Sequence, residues 1–117
     1  PVLDVGCGDG HFAASTFTEP IDVGLDPWER DLLECASLRP QVYKELVLAS
    51  ATEMPFADES FQTVVSNSVL EHIPDVEMTV REIARVLREI NSRATLSDDA
   101  AFVNGAAINI GGGISMH

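Results

Sequence analysis

Short apolar runs that end in an acid or a glycine alternate along this chain with stretches whose apolar residues recur every three or four positions. Val2 to Val5 is the first such run and predicts a strand, followed by a helix over roughly His11 to Phe17. Ile21 to Asp26 predicts a second strand, and Glu29 to Leu38 a helix that stops before Pro40. Leu46 to Ala49 reads as a short third strand. Pro55 interrupts the loop that follows, and Phe61 to Ser66 reads as a fourth strand. The clearest helix is Val76 to Ile90, where Val76, Val80, Ile83, Ala84, Leu87 and Ile90 share one face. Arg81, Glu82, Arg85, Arg88 and Glu89 fall largely on the other side and read as a solvated face. Strands alternating with helices imply crossover connections and a parallel sheet, so the fold class is α/β.

The chemistry concentrates at the end of the first strand. Val2 to Gly10 reads VLDVGCGDG, a buried run that ends in three glycines at alternate positions, Gly6, Gly8 and Gly10. Such a loop can bring its backbone close to a ligand, because glycine has no Cβ to collide. The second strand closes on an acid of its own, Asp26, which gives the layout of a nucleotide-type site. The spacing is G-x-G-x-G, and Asp4 and Asp9 flank the loop. A pyrophosphate would gain from backbone amides there but face two carboxylates. A ligand with an ammonium and a sulfonium meets no such penalty. Charge therefore favours S-adenosylmethionine over NAD, with Asp26 accepting from the ribose hydroxyls. The alternative is an ordinary strand-to-helix turn that uses glycine for structural reasons alone.

At this point the sequence resembles the class I S-adenosylmethionine-dependent methyltransferases of the broad small-molecule type. VLDVGCGDG is similar to the first motif of that family, and VGLDP (Val23 to Pro27) to its ribose-binding strand end. ATEMPFADESFQTVVSNSVLEHIPDVEMTVREIARVLR, from Ala51 to Arg88, is similar to its adenine-side loop, fourth strand and following helix. The resemblance covers about residues 1–88 and implies a partial Rossmann-like parallel sheet with flanking helices and strand order 3-2-1-4. It implies that Asp4, Gly6 and Gly8 line the methionine end of the cofactor, and that Asp26 holds the ribose. Cys7 would pack beside the cofactor as a small apolar residue. Pro27 and Trp28 would lie beside the adenine, Ala51 and Thr52 would approach its edge, and Ser66 with Asn67 would close the fourth strand over the cofactor. Two positions depart from the family pattern, since Ser50 and Gln62 stand where acids are usual. A serine still accepts from an adenine amino group, but without charge assistance, so weakened adenine affinity is expected.

Size and composition narrow the partners. A chain of 117 residues with 45% hydrophobic content can bury a moderate core. Seven basic against nineteen acidic residues give a net charge of −12, which argues against nucleic acid or an anionic membrane as partner. Cys7 and Cys35 are far apart and lack a paired spacing, which suggests a reducing, cytoplasmic setting. No apolar run is long enough for a membrane span, no signal peptide is evident, and no metal-ligand spacing occurs. The expected partner is a small-molecule acceptor of unspecified identity. Methyl transfer from a sulfonium is an in-line displacement that depends mainly on holding donor and acceptor collinear in a dry pocket. If the acceptor must lose a proton, His72 in the LEHIPD loop is the candidate base, with loop bracing before Pro74 as its alternative role. Glu71 could contact the acceptor or face water.

The ends differ from the family pattern. Pro1 opens directly on the first strand without the preceding helices that such enzymes usually carry, as expected for a fragment. After Arg88 the methyltransferase pattern stops. The organisation expected is an incomplete cofactor-binding core over residues 1–90 and an atypical tail over 91–117 with one short strand. From about Ser97, SDDAAFVNGAAINIGGGIS resembles the C-terminal segment of short-chain dehydrogenases/reductases, without that family's cofactor loop or catalytic residues. It is no evidence for oxidoreductase activity. Ala106 to Ile110 is expected to extend the sheet by pairing with the fourth strand, whose apolar edge would otherwise lie open. Two function classes follow: a methyltransferase, or a non-catalytic fragment that keeps only the cofactor half of the fold.

Overall fold

A computed structural model describes residues 1–67 and 73–88, together with the strand segments Ala94–Leu96, Ala100–Val103 and Ala106–Asn109. The apolar runs become parallel strands. Val2–Val5 forms β1, Ile21–Asp26 β2, Tyr43–Leu48 β3 and Thr63–Asn67 β4. Three helices link or follow them: α1 (His11–Thr16), α2 (Glu29–Leu38) and α3 (Val76–Val86). The tail contributes β5 (Ala94–Leu96), β6 (Ala100–Val103) and β7 (Ala106–Asn109). The sheet runs β3-β2-β1-β4-β7-β6-β5. Its first five strands are parallel, and β6 and β5 are antiparallel additions. The expected order of the first four strands and the α/β class are both present.

β1 is the spine of the sheet. It pairs with β2 through Asp4↔Gly24 and Val5↔Leu25, and with β4 through Leu3↔Val64 and Asp4↔Val65. Side chains alternate between the two faces of a strand. Leu3 and Val5 pack with Leu25 and Val64 against Ile83 and Val86 of α3. A second cluster gathers Ala13 of α1, Leu32 and Cys35 of α2, and Tyr43. Helices thus cover both faces, as crossovers of one hand produce when the chain steps outward from β1 in both directions.

Several expectations need correction. β3 begins at Tyr43, three residues before the expected Leu46, because pairing Ile21↔Tyr43 and Val23↔Glu45 recruits its polar start. The fourth strand begins at Thr63; Phe61 instead bridges Leu87. The same bridge ends α3 at Val86, short of the expected Ile90. Leu87 turns extended (ψ 138°), the Phe61 N–H donates to the Val86 carbonyl, and the Arg88 N–H donates to the Phe61 carbonyl. Residues 89 and 90 lie outside the described residues. The tail forms three described strands where one was expected, since β6 and β5 meander back from β7 by antiparallel pairing. β7 does pair with β4 through Val65↔Ala107, Ser66↔Ile108 and Asn67↔Asn109, as anticipated; Ile110 lies outside the described residues.

Arg85 and Glu82 are not a solvated face. Arg85 Nε donates to Glu82 Oε1 at 2.7 Å, while its Nη atoms donate to the Phe56 carbonyl, the Met54 carbonyl and Asp58. Glu82 also accepts the Met54 N–H at 2.7 Å. The pair therefore fastens the loop between β3 and β4 onto α3 by satisfying its backbone groups.

Candidate functional site

The glycine loop leaves β1 in a conformation that excludes most side chains. Gly6, Gly8 and Gly10 have φ of 74°, 56° and 81°. At Gly10 the space is closed as well, since a Cβ there would stand 2.7 Å from Cys35 Sγ. The loop is tied to the end of β2: Gly6 and Cys7 donate their N–H groups to the Leu25 carbonyl, and Gly8 donates to Asp26 Oδ2 at 3.0 Å. Asp26 Oδ1 accepts the Trp28 N–H at 2.8 Å. One carboxylate therefore fixes both the glycine loop and the entry to α2. Each of its oxygens keeps a lone pair for a further donor. Burial pushes the Asp26 carboxyl up, the N–H groups of Trp28 and Gly8 pull it back, and nearby Asp31 adds to the rise.

A cavity of about 730 Å³ opens beside this knot. Gly6, Leu25, Asp26, Pro27 and Trp28 form one wall, and Ser50, Ala51 and Thr52 a second. Ile73, Pro74 and Asp75, at the start of α3, form a third. Trp28 is 69% exposed, so a broad aromatic face stands open at the rim. Ser50 Oγ accepts the Thr52 N–H at 3.2 Å and lies 2.8 Å from Thr52 Oγ1, which rounds the second wall into a tight turn. The volume falls within the range of small-molecule and cofactor sites.

Of the residues proposed from sequence, Gly6, Asp26, Pro27, Ala51 and Thr52 meet at this cavity, as does Trp28. Asp4, Cys7, Gly8, Ser66 and Asn67 do not line it. Gly8 acts through its N–H on Asp26, and Ser66 donates its hydroxyl to the Val5 carbonyl at 2.9 Å inside the sheet. Asn67 ends β4. Cys7 is buried, and burial, followed by the nearby Asp4, pushes its thiol far above the usual range, which leaves it an inert packing residue. His72 and Glu71 lie outside the described residues. Sequence reasoning missed Ile73, Pro74 and Asp75. Asp75 carried a readable signal as a helix N-cap: its carboxylate accepts the Met78 N–H at 2.9 Å.

The profile of the methyltransferase domain matches residues 3–90, more than half of the chain. The chain belongs to the class I methyltransferase family. S-adenosylmethionine is the methyl donor of that family. An uncharacterized methyltransferase of Mycobacterium sp. (strain KMS) is 41% identical over 88 residues, which cover 74% of this chain and 34% of that protein. The crystal structure of the YcgJ protein from Bacillus subtilis superposes with a TM-score of 0.66 at 29% identity, over 81% of this chain and 42% of that one. An S-adenosylmethionine-dependent methyltransferase from Thermotoga maritima gives 0.65 at 25% identity, over 75% and 39%. This methyltransferase domain thus spans about a third of the length of the curated relatives it matches. Among the described residues, no helix is long and apolar enough to cross a membrane.

Proposed function

We propose that the chain binds S-adenosylmethionine in the cavity beside Asp26 and serves methyl transfer to a small-molecule acceptor. One observation carries the reading: Asp26, Gly6 and the Ala51–Thr52 turn, assigned from sequence to ribose, methionine end and adenine, share one cavity. The chemistry of the walls fits. Asp26 retains acceptor capacity for a ribose diol, and the exposed Trp28 ring offers a stacking face for a purine. No lysine or arginine lines the cavity among the described residues, which suits a cationic donor and disfavours a phosphate.

When bound, the cofactor supplies an electrophilic methyl group on a positively charged sulfur. This chain's residues hold and orient it. Asp26 and the Gly6 backbone fix it against the ends of β1 and β2, and Ile73 with Pro74 shields that side from water. His72 adjoins that wall in sequence and is the candidate to take a proton from an acceptor that must lose one.

Calorimetric titration with S-adenosylmethionine tests the reading. Heat is expected for the native chain, with affinity lowered at least about tenfold in Asp26→Ala, the loss of a charge-assisted hydrogen-bonding partner. No heat at millimolar ligand with folded protein would end the binding claim. Binding without turnover on any acceptor would select the cofactor-holding fragment over the enzyme.

A further inference from the structure

Among the described residues, Asp4 is the one buried carboxylate that lies away from the cavity, and its surroundings are built around it. Tyr43, at the start of β3, reaches past β2 and donates its hydroxyl to Asp4 Oδ2 at 2.5 Å. The ring passes over Gly24: a Cβ there would stand 2.9 Å from Tyr43 Cδ1 and 3.0 Å from Cys7 Sγ. A Cβ at Gly10 would lie 3.4 Å from the same ring. Tyr43 therefore underlies both ends of the glycine loop, at Cys7 and at Gly10, while its hydroxyl holds the strand residue that leads into it. Asp4 is 5% exposed and Tyr43 6%, so no water replaces this bond.

We propose that Tyr43 is a positioning residue for cofactor binding: by donating to Asp4 it keeps a negative charge fixed beneath the loop that receives the cationic donor. The proposal rests on the cofactor reading above. The titratable groups facing Asp4 are Tyr43 from β3, Asp26 from β2, Cys7 in the loop and Cys35 from α2. Both thiols and the phenol are pushed up by burial, so they stay neutral. Asp26 adds to the rise of the Asp4 carboxyl, which burial carries up to about 6 against the pull of Tyr43. Asp4 then changes charge in the neutral-to-acidic range, and cofactor affinity should follow it.

The test is the pH dependence of S-adenosylmethionine affinity in three proteins: native, Tyr43→Phe and Asp4→Asn. Tyr43→Phe keeps the ring and removes only the donor. In the native chain the dissociation constant should rise about fivefold as the pH falls through the Asp4 titration. In Tyr43→Phe that inflection should move up by about one to two pH units, the worth of a hydrogen bond to a charged group. In Asp4→Asn it should vanish. The Asp4 carboxyl carbon, followed by NMR in the free proteins, should titrate at the same pH values as the affinities. Heat in the native chain with coincident profiles in native and Tyr43→Phe overturns the proposal alone. No heat in the native chain at any pH overturns the cofactor reading and the proposal with it.

Discussion

Replacing Asp4 by asparagine isolates what it costs this fold to hold a charge inside its sheet. Asparagine has the shape of the protonated carboxyl, and its Oδ1 can still accept from Tyr43. The Asp4 carboxyl is pushed from its ordinary 3.8 up to about 6, chiefly by burial and further by Asp26, with Tyr43 opposing. Between those values the folded chain keeps a proton that the unfolded chain releases. The resulting stability is fully present below the unfolded value and is lost as the pH rises through the folded one. A window a little over two pH units wide, at about 1.4 kcal/mol per unit, amounts to about 3 kcal/mol. Asp4→Asn should therefore gain on the native chain by about that amount between roughly pH 4 and pH 8. Asp22 and Glu82, whose carboxyls are held low by hydrogen bonds, lose stability as the pH falls, but they do so in both proteins and cancel in the difference. Urea unfolding at a series of pH values reads the difference directly. Parallel stability curves for the two proteins would refute a buried, charge-changing Asp4.

Gly24→Ala should destabilise the chain by about 1–3 kcal/mol, because its Cβ must displace the Tyr43 ring or the Cys7 sulfur at the sheet centre; thermal unfolding measures it, and an unchanged midpoint would contradict the packing described. Arg85→Ala should cost about 2 kcal/mol in urea unfolding, since the Phe56 carbonyl loses its Arg85 donor while the Met54 carbonyl and the Glu82 carboxylate keep only the N–H groups of Phe56 and Met54. A loss below about 0.5 kcal/mol would mean that Arg85 behaves as an ordinary surface charge.

The parts of this fold that could be read in the sequence are those where one local signal sufficed. β1, β2 and α2 match their expected bounds because an apolar run ending in an acid, and a helical period stopped before Pro40, are set by neighbouring residues. β3 was half visible: Tyr43, Lys44 and Glu45 look like loop until β2 supplies their pairing. The end of α3 was invisible for the same reason, since Leu87 fits the helical face and leaves it only because Phe61 offers a backbone partner. β5 and β6 are three and four residues long and owe their existence to antiparallel neighbours rather than to pattern. The site divides likewise. The glycine loop and Asp26 announce themselves through spacing, whereas the Asp4–Tyr43 bond joins residues 39 positions apart and has no local mark. The roles of Arg85 and Glu82 have no local mark either, because a charged helix face looks solvated until a loop folds over it.

On the proposed reading, the ends of β1 and β2 and the turn after β3 together receive S-adenosylmethionine. Mapping backbone amide shifts during titration with that compound tests it most directly. The largest changes should fall on Gly6, Gly8, Asp26, Trp28, Ala51 and Thr52, lining the cavity or hydrogen-bonded to Asp26. Shifts centred instead on the separate groove between α1 and the Gln41–Val42 turn, or no shifts at saturating ligand, would contradict it.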